Sequence, residues 1–265
     1  MRKRKNHSTL TDRILNTVFS YRGLKTFVFM GLVAFYPLAV ADGMRPLMHA
    51  QVHLRIPLHY QTHGIDISHH NGTVDWQKAT AYNQHFSSVK FCFLKATEGG
   101  DMVDETFQAN WEELKSLHVK RGAYHYFKPH TDVRLQALNY ILNVKFDKGD
   151  FVPVLDWEEE GYTQNTQELI GNVRQWLQMI EKHYGVKPII YTNRIIYRKY
   201  IYNHFDDYPL WISHYNVAEL DGYDLSNVYF WQYSMNGKVE GIQTPVDFNV
   251  FLKDKFDYER ITFRQ

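Results

Sequence analysis

The 265-residue sequence contains one cysteine, Cys92, so no disulfide can form within the chain. Cys92 lies in the apolar run 91–94, which predicts a buried core residue rather than a reactive thiol. Zinc-binding spacings such as HExxH are absent, and so is a glycine-rich phosphate loop, since Gly99-Gly100 is an isolated pair. These absences favour a chemistry that uses neither a metal nor an organic cofactor.

The net charge is also small, at +1, but the basic residues are unevenly distributed. Residues 1–41 hold seven lysines and arginines and a single acid, which leaves 23 basic and 28 acidic residues for the rest. Binding to nucleic acid depends on clustered Lys and Arg side chains that contact phosphates. The mildly acidic body of the chain therefore predicts no nucleic-acid partner.

The N-terminal region has the features of a targeting segment. Residues 27–40 carry no charge and follow a basic flank, and Ala39-Val40-Ala41 matches the small-x-small pattern of a signal-peptidase site. This run is short for a membrane-spanning helix, which needs about 20 apolar residues. We predict a signal peptide or uncleaved signal anchor over residues 1–41, with a buried core helix as the alternative. An anchor would attach the protein to the membrane through residues 24–41. In both export readings the rest of the chain is periplasmic, membrane-anchored in the cell envelope, or secreted.

Residues 42–62 are predicted to form a linker and residues 63–265 one α/β domain. Apolar or β-branched runs typical of strands occur at 64–67, 89–95, 122–127, 152–157, 188–192, 210–213, 228–233 and 246–248. Apolar residues recur at helical spacing within 104–118, 132–145 and 166–184. This alternation predicts parallel βαβ units, and about eight strands predict a closed barrel. Because the later strands are closely spaced, we expect a modified (β/α) barrel with some short or missing helices.

Acidic residues occur where several of these predicted strands end. In an α/β barrel the active site lies at the carboxyl ends of the strands, so polar residues there are candidates for function. Four predicted strands carry such acids: Asp66 on the first, Glu98 after the second, Asp156 and Glu158 at the end of the fourth, and Asp247 on the last. We therefore expect these carboxyl groups to meet at one rim of the barrel.

The triplet Asp156-Trp157-Glu158 is the most specific of these features. Residues i and i+2 of a strand point to the same face, with Cα atoms roughly 7 Å apart. Glycoside hydrolysis uses such a pair, one carboxyl to protonate the leaving oxygen and the other to stabilise or attack the sugar cation. Two alternatives stay open. The following Glu159 and Glu160 also fit a solvated acidic loop, and four acids could bind a divalent cation.

Seven motifs in this chain resemble those of glycoside hydrolase family 25, the Chalaropsis-type lysozymes, and they occur in the family's order. They are GIDISHHNGTVDW (64–76), FLKATEGGDMVDETFQANW (93–111), GAYHYFKP (122–129), PVLDWEEE (153–160), IIYTN (189–193), PLWISHYN (209–216) and FWQYSMNGKVEGIQTPVDFNVF (230–251). Matches over nearly 190 residues make the resemblance specific. One departure is the run His69-His70-Asn71, where the family often has Gln after the serine.

The resemblance implies an N-acetylmuramidase that cleaves the β-1,4 bond between N-acetylmuramic acid and N-acetylglucosamine in peptidoglycan. It assigns the general acid to Glu158 and assistance to the reacting sugar to Asp156, while Asp66 and Asp247 complete an acidic cleft. We expect substrate binding by the residues at the family's aromatic positions and by one further acid: Tyr124, Tyr191, Trp211, Trp231 and Glu98. For Trp211 and Trp231, a place in the barrel core is an equal alternative.

Two other functions fit the same residues. One is a non-catalytic, membrane-anchored module that binds peptidoglycan or another glycan, and the other is a glycosidase for a different N-acetylated glycan such as chitin. We expect a monomer whose partner is the peptidoglycan glycan strand. The sequence contains no repeat typical of an appended wall-binding module.

Overall fold

The computed structural model describes residue 57 and residues 59–81, 88–162 and 165–265. The predicted export segment over residues 1–41 and most of the predicted linker over residues 42–62 lie outside this part of the chain. Within the described ranges, no helix is both long enough and apolar enough to cross a membrane.

The described residues form one sheet, in which eight strands close into a barrel and a ninth lies outside it. The strands are β1 (His63–Ile67), β2 (Phe91–Glu98), β3 (Met102–Val103), β4 (Lys120–Tyr126), β5 (Val154–Trp157), β6 (Ile189–Asn193), β7 (Leu210–Ser213), β8 (Val228–Gly237) and β9 (Val246–Phe251). Their order around the ring is β1-β9-β8-β7-β6-β5-β4-β2, and pairing of β1 with β2 closes it. The short β3 pairs only with the end of β2. The predicted closed barrel is confirmed.

One strand departs from the expected parallel arrangement. Neighbours from β1 through β2 and β4 to β8 run parallel, whereas β9 is antiparallel to both β8 and β1. Eight residues connect β8 to β9, which is too few for a helical crossover and suits a hairpin. The close spacing of the last strands therefore has a specific cause, namely that the chain turns back instead of crossing over.

Helices cover the barrel unevenly, as predicted. The described α-helices are α1 (Trp76–Ala79), α2 (Phe107–Ser116), α3 (Val133–Asn143), α4 (Thr166–Tyr184), α5 (Arg194–Ile196) and α6 (Lys255–Arg260). A 3-10 helix (His69–Asn71) follows β1, and a π-helical segment (Tyr197–Ile201) directly follows α5. No helix connects β7 to β8 or β8 to β9, and every residue of those two connections is described. The longest helix, α4, begins at the side chain of Asn165, which accepts a hydrogen bond from the Glu168 amide, and ends at Gly185 with φ +71°.

Aromatic rings fill the interior of the barrel below its carboxyl rim. Phe93 stacks on Trp211 at 4.4 Å between ring centroids and on Phe151 at 5.0 Å, while Phe91 lies 5.2 Å from Phe230. All five rings are buried, and burial of each contributes about 1.5–3 kcal/mol. A second apolar core, on the other face of the sheet, packs α2, α3 and α4 against the barrel. The interior is therefore filled by an aromatic plug, and this plug forms a floor below the carboxyl rim of the barrel.

Glycine makes room for this plug at the position where β1 faces β2. A Cβ added to Gly64 would lie 2.5 Å from the ring and from the backbone oxygen of Phe91, its partner in the sheet. Neither group has space to move, because the ring belongs to the plug and the oxygen to the β-sheet. A side chain at position 64 therefore conflicts with closure of the barrel.

We expect Gly64→Ala to lower the free energy of unfolding by about 1–3 kcal/mol through overpacking, measured by urea denaturation of the full-length protein. Gly171→Ala is the matched control, because Gly171 lies within α4 and a Cβ there meets nothing within 4 Å. The control is expected to stabilise by about 0.5–1 kcal/mol, the helix preference of Ala over Gly. Equal stability of Gly64→Ala and the parent protein would show that the barrel is not packed as described.

Candidate active site

A cleft of about 390 Å³ opens at the carboxyl ends of the parallel strands. It contains eight of the nine side chains predicted to form the site, all except Trp231. The residues that line it are Asp66, Ser68, His70, Lys95, Glu98, Tyr124, Tyr126, Lys128, Asp156, Glu158, Tyr191, Trp211, Gln232 and Asp247. The predicted convergence of carboxyl groups from several strands is therefore observed.

Asp247 reaches this rim because β9 is antiparallel, which the sequence did not predict. Asp247 lies at the beginning of β9, not at its carboxyl end. Because β9 is antiparallel, its first residues lie beside the last residues of β1, and Asp247 pairs in register with Asp66. The expectation that Asp247 sits at the rim is right, although strand direction rather than strand end places it there.

Asp156 and Glu158 lie together at the end of β5. Asp156 is 6% exposed, and Glu158 follows the last residue of the strand and is partly exposed. Asn193, at the end of β6, donates to the backbone oxygen of Glu158 at 3.1 Å, which fixes the turn out of the strand. Burial and then the charges of Asp247 and Glu159 raise the pKa of Glu158 to about 6. Burial and then the charges of Glu158 and Asp66 raise the pKa of Asp156 well above its usual value.

The three consecutive glutamates after β5 differ in their partners. Glu159 accepts hydrogen bonds from Tyr126 Oη at 2.7 Å and from Lys128 Nζ at 3.2 Å. Glu160 pairs with Lys199 at 2.5 Å and accepts from Tyr200 Oη at 3.0 Å.

The carboxyl group of Glu158, by contrast, has no ion pair and no hydrogen bond with any residue that the structure describes. Lys95 acts on Glu158 only through its charge, which lowers the pKa of Glu158. The run is therefore not a uniformly solvated loop. Two of its members are neutralised by lysines, and the third faces the cleft unpaired.

A second carboxyl pair forms where β1 meets β9. Asp66 Oδ2 accepts hydrogen bonds from Gln232 Nε2 at 2.8 Å and from Asn249 Nδ2 at 2.6 Å. Burial and then the charge of Asp247 raise the pKa of Asp66 well above its usual value, while the two amides act in the opposite direction. Burial also raises the pKa of Asp247 to about 6, and a hydrogen bond with Asp66 partly offsets that rise. Two buried carboxyl groups in contact share a proton, because both cannot ionise at low cost.

Neighbouring donors determine which way the two amides point. The indole Nε1–H of Trp211, which can only donate, gives a 2.8 Å hydrogen bond to Asn249 Oδ1. Tyr191 Oη donates to Gln232 Oε1 at 2.8 Å, and Tyr215 Oη donates to the same oxygen. Each amide therefore has its oxygen occupied and its nitrogen directed at Asp66.

The aromatic predictions divide between the cleft and the core. Tyr124, Tyr191 and Trp211 line the cleft, and Trp211 is also part of the floor because its ring stacks on Phe93. Trp231, by contrast, faces away from the cleft, because residues alternate along β8 and its neighbour Gln232 points inward. Its Nε1 donates to the His214 backbone oxygen at 2.8 Å within the outer core. For Trp231 the alternative of a core position is therefore correct.

Several residues of the site were not identified from the sequence. The same alternation that places Phe91 and Phe93 inside the barrel also places Lys95 there, so a lysine on the inward face of an apolar strand was a usable signal. Gln232 and Asn249 are polar residues on inward faces of β8 and β9 and carry the same kind of signal. Tyr126 lies two residues after Tyr124 on β4 and carries this signal as well, whereas Lys128 follows the strand and could not be found this way.

This arrangement can perform acid–base chemistry on a neutral substrate. One carboxyl group with a pKa raised to about 6 lies beside a second, more buried one on a floor of aromatic rings. Among the described residues, no group of three or more His, Cys, Asp or Glu side chains is arranged to hold a metal ion. A closed α/β barrel with paired acids at the carboxyl ends of its strands has the parts of a glycoside hydrolase.

Comparison with known proteins identifies the family. Residues 65–242 match Glycosyl hydrolases family 25, and the chain belongs to this family of glycoside hydrolases. It is 42% identical to the uncharacterized protein YegX of Escherichia coli strain K12 over 209 residues, which cover 79% of this chain and 75% of that protein. It is 27% identical to Lysozyme M1 of Streptomyces globisporus over 205 residues, which cover 71% of this chain and 67% of that protein.

A solved family 25 glycosyl hydrolase from Bacillus anthracis has the same fold. It superimposes with a TM-score of 0.68 and 30% sequence identity, over 76% of this chain and 93% of that chain. The resemblance on which the fold and the enzyme class were predicted is therefore confirmed.

We expect Asn249→Ala to lower the free energy of unfolding by about 1–3 kcal/mol, since Trp211 Nε1–H and Asp66 Oδ2 both lose a buried partner. Asn236→Ala is the control: Asn236 is exposed near the end of the same β8–β9 ladder, and its loss should cost less than about 0.5 kcal/mol. Denaturant unfolding monitored by tryptophan fluorescence measures both. Similar losses in the two variants would mean that the amide contributes nothing specific to the site.

Proposed function

We propose that this protein is a lysozyme-type peptidoglycan hydrolase. It cleaves the β-1,4 bond between N-acetylmuramic acid and N-acetylglucosamine, with Glu158 as the general acid and Asp156 assisting. The observation that carries the proposal is the state of Glu158. It is the one member of its acidic run without a cation partner in the described structure, it lies in the cleft beside Asp156, and its pKa is raised to about 6. The name of Lysozyme M1, a relative over most of the chain, supports the choice of substrate.

The reaction follows from the two carboxyl groups. Protonated Glu158 gives its proton to the glycosidic oxygen as the bond from that oxygen to the sugar C1 breaks. Asp156 Oδ1 is buried and accepts no hydrogen bond within the described residues, so it can accept the N–H of the sugar's acetamido group. That hydrogen bond favours the ionised form of Asp156 and directs the acetamido oxygen at C1 as an internal nucleophile. Glu158, now ionised, then takes a proton from the water that opens the intermediate.

The remaining predicted residues shape the cleft around this reaction. Asp66 and Asp247 form the opposite acidic wall, where one shared proton limits the charge that faces the sugar cation. Tyr124, Tyr191 and Trp211 supply the aromatic surface against which a sugar ring packs. Each of these assignments rests on position in the cleft.

The proposed substrate lies outside the cytoplasmic membrane, so the proposal includes export. We retain residues 1–41 as a signal peptide or anchor that acts through residues 24–41, residues 42–62 as a linker, and residues 63–265 as the catalytic domain. A protein in the cell envelope or a secreted monomer would both meet the glycan strand directly.

We expect full-length protein to release muropeptides that end in reducing N-acetylmuramic acid from purified peptidoglycan, and Glu158→Gln to release none above background. Glu160→Gln is the matched control, because Glu160 lies two residues away in the same run but pairs with Lys199 outside the cleft. It should retain nearly all activity. Mass spectrometry of the products after borohydride reduction identifies the reducing ends.

Other results would select a different function. Reducing ends of N-acetylglucosamine would keep a glycosidase but reject the proposed bond. Activity on chitin oligomers but not on peptidoglycan would move the substrate to another N-acetylated glycan. Tight binding to cell walls without any product from walls of several types would point to a glycan-binding module.

The pH dependence of kcat/KM should show loss of activity as the pH rises through about 6. A general acid works only while protonated, so activity is present below the pKa of Glu158 and lost above it, and that pKa is raised to about 6 in the free protein. Initial rates on a soluble peptidoglycan fragment between pH 3 and about 9 measure this. A profile that is flat through this range would reject Glu158 as the proton donor.

A further inference from the structure

An irregularity in β2 brings a lysine and a glutamate to the same side of the strand. Lys95 and Glu98 are three residues apart, and on a regular strand their side chains would point to opposite faces. The register along β4 pairs Lys95 with Tyr124 and Thr97 with the next residue, His125, so Ala96 is an extra residue. This bulge reverses the alternation, which turns Thr97 outward and Glu98 inward. Thr97 Oγ1 accordingly meets His125 Nδ1 at 2.7 Å, on the outer side of the barrel.

The bulge creates a partly buried ion pair inside the cleft. Lys95 Nζ lies 2.5 Å from Glu98 Oε2 and 4.9 Å from the ring centroid of Tyr126, and the lysine side chain is only 8% exposed. The other lysine of the cleft, Lys128, is 37% exposed, and its Nζ forms ion pairs with Glu98 Oε1 and Glu159 Oε1, each at 3.2 Å. Of the two lysines that line the cleft, Lys95 is therefore the buried one.

The charged groups of the cleft surround Lys95 on several strands. Its own strand supplies Glu98, and the end of β5 supplies Asp156 and Glu158, both of which feel its charge. Farther round the rim are Asp66 and Asp247. The other titratable neighbours lie on β4 and its loop: Tyr124, Tyr126, His125 and Lys128.

We propose that Lys95, held in place by Glu98, is the counter-ion of the Asp156–Glu158 pair, and that Glu98 acts through Lys95 rather than on the sugar. Both Glu98 oxygens are already occupied by lysines, Oε2 by Lys95 and Oε1 by Lys128. Burial would raise the pKa of Glu98, but these two lysines outweigh it and lower the pKa, so Glu98 is a fixed anion. In the cleft, Glu98 therefore holds the ammonium group of Lys95 in place.

The need for a counter-ion follows from the proposed function, on which this inference rests. Asp156 is buried near three other acids, and both conditions favour its neutral form, whereas its proposed role requires the ionised form. Lys95 is the cation that opposes them. It lowers the pKa of both Asp156 and Glu158, which favours one negative charge on the pair.

A titration of the carboxyl groups tests this without relying on activity. Full-length protein with ¹³C-labelled Asp and Glu carboxyl carbons is titrated by NMR, and the two signals are assigned with Asp156→Asn and Glu158→Gln. We expect Lys95→Met to raise the titration midpoints of the pair by about one pH unit or more, the size of effect that a nearby opposite charge has on a carboxyl group. Lys95→Arg keeps the charge and should stay close to the parent protein.

Two further variants separate the counter-ion role from a structural one. Lys128→Met removes the exposed lysine of the same cleft and should leave the Asp156 midpoint within a few tenths of a pH unit. Glu98→Gln removes the partner that holds Lys95, so it should shift that midpoint upward, as Lys95→Met does, but by less, because a negative charge near Asp156 is lost as well. A downward shift would mean that Glu98 acts on Asp156 only through its own charge and does not position Lys95. Unchanged midpoints in Lys95→Met, or equal shifts in Lys128→Met, would overturn the proposal.

Kinetics on peptidoglycan fragments then test the role of Glu98. The acidic limb of the kcat/KM profile reports ionisation of Asp156. If Glu98 positions Lys95, Glu98→Gln moves this limb to higher pH and leaves KM within about twofold, whereas a sugar-binding Glu98 would raise KM and leave the limb in place. Failure of the proposed function has a different signature. A parent protein that hydrolyses no glycan rejects the function, while the NMR midpoints still decide whether Lys95 controls the pair.

Discussion

Pairing of β1 with β2 on one edge and with β9 on the other closes the barrel, and the organisation of the rim depends on this double pairing. The parallel side brings the end of β1 beside the end of β2, and the antiparallel side brings the beginning of β9 to the same place. Asp66 thereby acquires both Asp247 and the amide of Asn249 as neighbours. A final strand in the parallel direction would carry Asp247 to the opposite end of the barrel.

Closure also gathers negative charge in a small space. Five carboxyl groups line a cleft of about 390 Å³, and burial of several unpaired anions would cost more than a domain can supply. Three features reduce this cost, and each depends on particular residues. Gln232 and Asn249 donate hydrogen bonds to Asp66, Lys95 and Lys128 neutralise Glu98, and raised pKa values leave protons on part of the remaining set. Glu158 and Asp156 have no lysine partner within the described residues, so their charge depends on these raised pKa values.

Period and spacing predicted the eight strands, the three long helices and the acids at the rim, because these depend on local alternation and on the direction of a parallel sheet. The features that were missed depend on contacts between distant parts of the chain. The inward turn of Glu98 requires the bulge at Ala96, which no local pattern marks. The orientation of Asn249 depends on Trp211, a residue 38 positions away. Trp231 shows the limit of motif matching, because a position in a matching segment does not say which face of the strand it occupies.

The aromatic plug determines how a ligand can enter and leave the cleft. Within the described part of the chain, five packed rings leave no passage along the barrel axis, so the cleft is closed at its base; they belong to Phe91, Phe93, Phe151, Trp211 and Phe230. Whatever enters must leave by the same opening, and nothing can be threaded through. A long polymer could therefore bind only by lying across the mouth of the cleft. An internal bond of such a polymer would be as accessible in that pose as a terminal one.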